Sequence, residues 1–278
     1  MFDFTDRDLK EPHDIRMIGV PFDGTVSFRP GARFGPSAIR DASDGVETYS
    51  PLLDYDMESV SYADIGDLEL PMGSVDVALA IIKESVEDAL REGAIPFLLG
   101  GEHLVSLPAI EAVYEKCPDL VVVQLDAHAD QREDYLGVKL SHACVIRRVS
   151  EFLGQEHIRQ LGIRSGTRDE YRLMRDYGTL TTFREHDLSE LRAWIGDRPL
   201  YLTVDLDVFD PACFPGTGTP EPGGIDWWTF QRFLGALKGC DIVGLDAVEL
   251  APQLDSSGCS SVLAAKCVRE MLMLVSMK

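Results

Sequence analysis

The sequence predicts an α/β protein, a three-layer α/β/α arrangement around a central, mainly parallel sheet. Three observations carry this. Apolar runs of strand length alternate with amphipathic stretches of helical length along the 278 residues, the order that βαβ crossovers produce. The runs are apolar throughout rather than at every second residue, as strands covered on both faces require. Four of them end in clusters of acidic residues and histidines, and open parallel sheets bind ligands beyond the carboxyl ends of their strands.

The elements follow in order. IRMIGV (15–20) is the first strand. After it comes FDGTVSFRPGARFGPSAIR (22–40), Gly/Pro-rich yet studded with aromatic and charged residues, which is expected to be an irregular functional loop rather than a linker. SVDVALAIIKESVEDALREG places apolar residues at helical spacing over 74–92, with Ser74 as N-cap and Gly93 just past the end. Strands are then expected at AIPFLLGG (94–101), LVVVQLDA (120–127), HIRQLGI (157–163), PLYLTVDLD (199–207) and DIVGLDAVEL (241–250). Helices are expected at 104–115, 143–152, 168–177, 226–238 and 259–275. A second irregular segment, FDPACFPGTGTPEPGG, covers 209–224. The chain shows no repeat and no low-complexity tract, and its length suits one large domain or two small ones.

Composition narrows the function. The net charge is −21, from 47 acidic and 26 basic residues, which argues against a general nucleic-acid binder. Such a charge serves solubility, and it also steers cationic substrates. Six cysteines stand at 117, 144, 213, 240, 259 and 267 without a CxxC, the usage of reduced thiols in the cytosol. The opening MFDFTDRDLKEPHD lacks the basic and apolar regions of a secretory leader, and no apolar run approaches the ~20 residues of a membrane helix. A cytoplasmic location is expected.

The strand ends carry the chemistry. LLGGEH offers Glu102 and His103; QLDAHAD offers Asp126, His128 and Asp130; TVDLDVFD offers Asp205 and Asp207; GLDAVELAP offers Asp246 and Glu249. In an extended chain, residues i, i+2 and i+4 share one side, so Asp126, His128 and Asp130 are expected to face one point, as are Asp205 and Asp207. Gathering buried carboxylates costs several kcal/mol per ion unless something positive compensates, about the effective desolvation penalty. No Lys or Arg lies within these strand ends, so a divalent metal is the simplest compensation. Two histidines and four aspartates favour Mn, Fe, Co or a non-thiolate Zn site. Six ligands exceed what one catalytic metal needs, and two bridged metals account for them better.

GGEH, DAHAD, SHA and TVDLDVFDP…GTGTPEPGG, in that order, resemble the ureohydrolase family, whose members include arginases, agmatinases, guanidinobutyrases and formimidoylglutamases. The likeness runs from FDGT to DAVELAP. It implies a single arginase-like domain over 1–278, a trimeric or hexameric assembly, a pair of Mn²⁺ ions, and hydrolysis of a guanidinium group to urea and an amine. By motif, His103, Asp126, Asp130 and Asp205 would hold one ion, and Asp126, His128, Asp205 and Asp207 the other, with Asp126 and Asp205 bridging. Asp130 would also pass a proton to the leaving amine, Glu249 would receive the substrate guanidinium, and His142 in KLSHAC would be a proton shuttle. His13, His157 and His186 have no motif around them and read as ordinary.

The substrate is read from departures. Arginases carry an Asn two positions past the last Asp and a Ser–Gly–Asn segment before the histidine; here Arg132 and GVKLSHAC stand there. That resembles the bacterial and archaeal agmatinase pattern, implying cleavage of agmatine to putrescine, a polyamine, and urea. Arg132 could also meet a carboxylate, as in guanidinobutyrate, and N1-aminopropylagmatine remains open, with arginine less favoured. Two readings from other classes compete: a deacetylase-type hydrolase with one zinc, and a non-enzymatic relative that has lost ligands. The His103 ligand and the second Asp of DLD speak against the first, and the presence of all six ligands speaks against the second.

Overall fold

The computed structural model describes residues 13–71 and 73–277. The leader question raised by the N-terminal stretch lies mostly in residues 1–12, outside them. Ten strands form among the described residues: β1 (Ile15–Val20), β2 (Tyr49–Ser50), β3 (Tyr55–Asp56), β4 (Tyr62–Asp67), β5 (Ile95–Gly100), β6 (Val121–Leu125), β7 (Ile158–Leu161), β8 (Leu180–Thr181), β9 (Leu200–Asp205) and β10 (Ile242–Val248). The helices are α1 (Gly35–Ser43), α2 (Val75–Arg91), α3 (Ser106–Lys116), α4 (Val145–Leu153), α5 (Arg168–Tyr177), α6 (Glu185–Ile195), α7 (Trp227–Ala236) and α8 (Cys259–Ser276).

Eight strands make one sheet in the order β4-β1-β5-β10-β9-β6-β7-β8, paired in parallel throughout. The side-chain period of two then splits each strand between two cores. Val121, Val123 and Leu125 of β6 pack toward α1, α6, α7 and α8. Val122 packs with Ala78, Ile82, Ala109, Ile110, Ile146 and Val149 of α2, α3 and α4. Helices thus cover both faces, and the expected three layers are present. The strands whose ends carry the polar clusters, β5, β10, β9 and β6, are consecutive in the sheet, so their C-terminal ends adjoin.

Each predicted strand and helix is found, with ends shifted by a few residues. Ser74 is the N-cap of α2 by position, though its hydroxyl makes no capping bond. Several elements were not expected. The last part of the 22–40 segment is α1, which a proline at its first turn starts rather than breaks. β4 (YADIGD) is a polar edge strand and α6 (EHDLSELRAWI) a charged helix; neither carries a long apolar run. The two-residue β8 and the β2–β3 hairpin are too short to show periodicity.

Candidate metal centre

Beyond β5 the chain needs two glycines. A Cβ on Gly101 would lie 1.8 Å from the Phe22 carbonyl oxygen, and one on Gly100 2.4 Å from Val248 Cγ1. The 20s loop therefore passes directly against the strand end, where Glu102 N donates to Phe22 O (2.7 Å) and Glu249 N to Gly101 O (2.8 Å). Glu102 turns inward and accepts from Thr25 N (2.9 Å) and Thr25 Oγ1 (2.6 Å); burial pushes its carboxyl up to about 7. His103, also buried, sets its Nε2 2.9 Å from Thr203 Oγ1, and Thr203 donates its hydroxyl proton to Asp246 Oδ1 at 2.7 Å. Because that proton is spent on Asp246, Thr203 must accept from His103 Nε2–H. His103 Nδ1 is left as a bare lone pair, the orienting arrangement usual behind metal-bound histidines.

The DxHxD run does not continue as an extended strand. β6 ends at Leu125. Asp126 Oδ1 then accepts from His128 N (2.6 Å), and Asp207 Oδ1 from Ala127 N (3.0 Å). Asp130 sits in the left-handed region at φ 51. At β9 the same happens: Asp205 Oδ1 accepts from Asp207 N (2.9 Å) and caps a short 3₁₀ turn. Aspartate side chains compete with strand extension by bonding the backbone two residues on. Convergence is achieved by these turns, not by the alternation expected from the sequence.

All six candidate ligands nevertheless meet. His103 Nδ1 lies 3.0 Å from Asp126 Oδ2, 3.1 Å from Asp130 Oδ2 and 3.4 Å from Asp205 Oδ2. His128 Nδ1 lies 2.9 Å from Asp207 Oδ2 and 3.5 Å from Asp126 Oδ1. The tightest groupings are His103–Asp126–Asp205 and Asp126–His128–Asp207. Asp126 belongs to both and gives one oxygen to each. Asp205 belongs only to the first.

The residues fit divalent cations. His103 Nδ1 is buried without a hydrogen-bond partner, aimed at three carboxylate oxygens that would repel its lone pair. Among the described residues no Lys or Arg pairs with Asp126, Asp130, Asp205 or Asp207. Protons must otherwise compensate, and the shifts show the strain. Burial and the neighbouring Asp126 push Asp130 up to about 7; burial, Asp207 and Asp126 hold the Asp205 carboxyl well above its usual range. Burial opposes charge on His128, yet Asp207 and Asp126 drive it up to about 12. The oxygen and imidazole donors, with no thiolate, suit Mn, Fe, Co or Zn.

His103, His128, Asp130 and Asp205 line a cavity of about 220 Å³ whose walls also include Ser27, Arg132, Tyr135, His142, Glu170 and Glu249. Glu249 is buried at a left-handed φ of 68, and its Oε1 accepts from His103 N at 2.8 Å. Burial and nearby Glu102 raise its carboxyl well above the ordinary value. Left-handed non-glycine residues cost about 1–3 kcal/mol each and gather at functional sites; Asp130 and Glu249 are two of them. His142 donates its backbone N–H to Thr25 Oγ1 (3.0 Å), and its ring nitrogens lie 3.2 Å from Ser27 Oγ and 3.3 Å from Ser141 Oγ. Burial brings it down to about 4, so the ring is neutral at pH 7. Arg132 stacks over Tyr135 and reaches to 3.8 Å from Glu170 Oε2. His157 and His186 lie outside this cavity, His186 exposed on α6.

Sequence reading did not single out Thr25, Thr203 or Gln124. A polar residue interrupting the apolar runs LVVVQL and LYLTV was the available signal, for such a residue needs a buried partner.

The arginase family model matches residues 13–274. The chain is 44% identical to the agmatinase of Bacillus anthracis over 270 residues, covering 95% of this chain and 92% of that one. The agmatinase of Bacillus subtilis is 42% identical with the same coverage. A crystal structure of a candidate agmatinase from Clostridium difficile superposes with a TM-score of 0.92 at 43% identity, covering 95% of this chain and 98% of that one.

Proposed function

The chain belongs to the arginase family of hydrolases that act on guanidino groups, and from that premise we propose that it hydrolyses agmatine to putrescine and urea with two Mn²⁺ ions. The observation that carries this is the shared position of Asp126, one oxygen toward each histidine, beside a buried Glu249 in the same cavity. His103, Asp126, Asp130 and Asp205 would hold one ion; Asp126, His128, Asp205 and Asp207 would hold the other. When bound, such a pair supplies a hydroxide nucleophile near neutral pH.

The chain's own residues do the rest. Glu249 offers a carboxylate to the guanidinium, a pairing that is charge-assisted and directional, and so sets the reacting carbon over Asp130 and His128. Asp130, which lines the cavity with its Oδ2 3.1 Å from His103 Nδ1, can take the proton of the attacking oxygen and return it to the leaving amine. His142, neutral at pH 7, can accept a proton at the cavity mouth. The net charge of −21 favours a substrate with a second positive charge.

One observation favours a second reading: Arg132 also lines the cavity, where it would suit a guanidino acid. Its contacts with Glu170 and Tyr135 already occupy it, which keeps agmatine first. The same proposal carries a single domain, a homotrimer or homohexamer, and a cytoplasmic location. The six cysteines are all free, as a reducing compartment would keep them, and no described helix is long and apolar enough to cross a membrane. Urea release from Mn-loaded protein offered agmatine, arginine, guanidinobutyrate, guanidinopropionate and aminopropylagmatine tests the reading. Agmatine should be turned over fastest; equal or faster turnover of arginine would refute it.

A further inference from the structure

One layer beneath the ligand candidates, the sheet face toward α2, α3 and α4 carries a polar row. Asp246, Thr203, Gln124 and Gln160 stand on four adjacent strands, in register as Asp246↔Thr203, Gln124↔Thr203 and Gln124↔Gln160. All four are fully buried. Asp246 and Thr203 serve His103. The glutamines serve something else, and Gln131 and Gln155 are buried with them.

Chemistry fixes the polarity of their bonds. One end of the Gln124 amide lies 2.6 Å from Asp126 Oδ2 and 3.4 Å from the His128 carbonyl. Both are acceptors, so that end is the NH₂. Gln124 Oε1 then faces Gln160, whose Nε2 donates to it at 2.6 Å and to Ala129 O at 2.8 Å. Gln160 Oε1 is left to accept, from Thr179 Oγ1 at 3.1 Å and Gln131 Nε2 at 3.2 Å. From Thr179 through Gln160 to Gln124, the donors point one way, toward Asp126.

We propose that Gln124, oriented by Gln160, is a positioning residue for the metal centre: its amide holds the Asp126 carboxylate in the rotation that divides its oxygens between His103 and His128. This rests on the two-metal reading above. His128 N secures only Asp126 Oδ1; Gln124 secures Oδ2, and without it the carboxylate could turn about its own axis. The same two amides pin the carbonyls of His128 and Ala129, the turn that carries His128 and Asp130. A neutral donor suits this place because Lys or Arg would compete with the cations for the same charge.

The test uses the full chain stripped of metal by chelation and titrated with Mn²⁺, free ion being counted by its EPR signal. Gln124→Met keeps length and burial but removes the donor, and Mn²⁺ affinity should fall roughly tenfold or more. Gln160→Met should weaken binding less, and the double variant should match Gln124→Met within about twofold, because one acts through the other. A merely structural glutamine would lower the melting temperature of the metal-free chain and leave Mn²⁺ affinity alone. Parent-like affinity in Gln124→Met, or in Gln160→Met if the first does not fold, overturns the proposal; fully additive losses overturn the relay. If the parent itself binds no Mn²⁺, the two-metal reading falls and this proposal with it.

Discussion

Thr203→Val probes the arm that orients His103. The two side chains have nearly the same shape, so packing is kept while both hydrogen bonds vanish. His103 Nε2–H loses its acceptor at 2.9 Å, and Asp246 loses the Thr203 hydroxyl while keeping Tyr201 OH at 2.9 Å. Asp246 is buried, and a buried acceptor left short of a donor costs about 1–3 kcal/mol, so the metal-free chain should lose about that much. The variant also frees His103 to carry its proton on Nδ1, where Asp126 and Asp130 would accept it. That proton stands where a cation would bind, so Mn²⁺ affinity should fall by about 10–100-fold. Urea denaturation of the metal-free chain measures the first effect and Mn²⁺ titration the second. A variant with lowered stability but parent-like affinity would refute the claim that Thr203 sets the tautomer of His103.

Three further outcomes follow from other residues. Glu249→Gln should keep its metals and lose a charge-assisted contact worth about 1.5–3 kcal/mol, a fall in kcat/KM of roughly 10–150-fold; unchanged kinetics would remove Glu249 from the substrate site. Gly101→Ala forces a methyl into the Phe22 carbonyl and should destabilise the fold by about 3 kcal/mol or more, read by thermal unfolding. Asp255 accepts four bonds from Ser257 and Ser260 at the start of α8; burial opposes its charge, but these donors hold its carboxyl well below the usual carboxylate range. Its folded pKa is therefore depressed, so its contribution is complete above the unfolded pKa of about 3.9 and is lost as pH falls below it. Asp255→Asn should cost about 1 kcal/mol at pH 7, with a gap to the parent that closes below about pH 4; a gap independent of pH would contradict the sign.

The central strands were legible because they are buried on both faces and read as unbroken apolar runs. β4 and α6 were not, since β4 lies at the sheet edge and α6 is mostly polar, so neither shows the pattern. The six ligand candidates were legible as residue types at strand ends, and the sheet order brings them together. The route was misread: DAHAD and DLD turn where extension was expected, because Asp126 and Asp205 each accept from the backbone amide two residues on. Gln124 shows the remaining limit. Its type was visible within LVVVQL, but its partner Gln160 lies 36 residues away, and only strand pairing joins them.

The most direct test is the metal content of the full chain, expressed with Mn²⁺ and dialysed free of loose ion, measured by mass spectrometry against protein concentration. Two ions divided by Asp126 predict about two per chain, and about none in Asp126→Ala with activity lost in step. About one ion per chain, or an Asp126→Ala variant that keeps its metal and its urea release, would contradict the account.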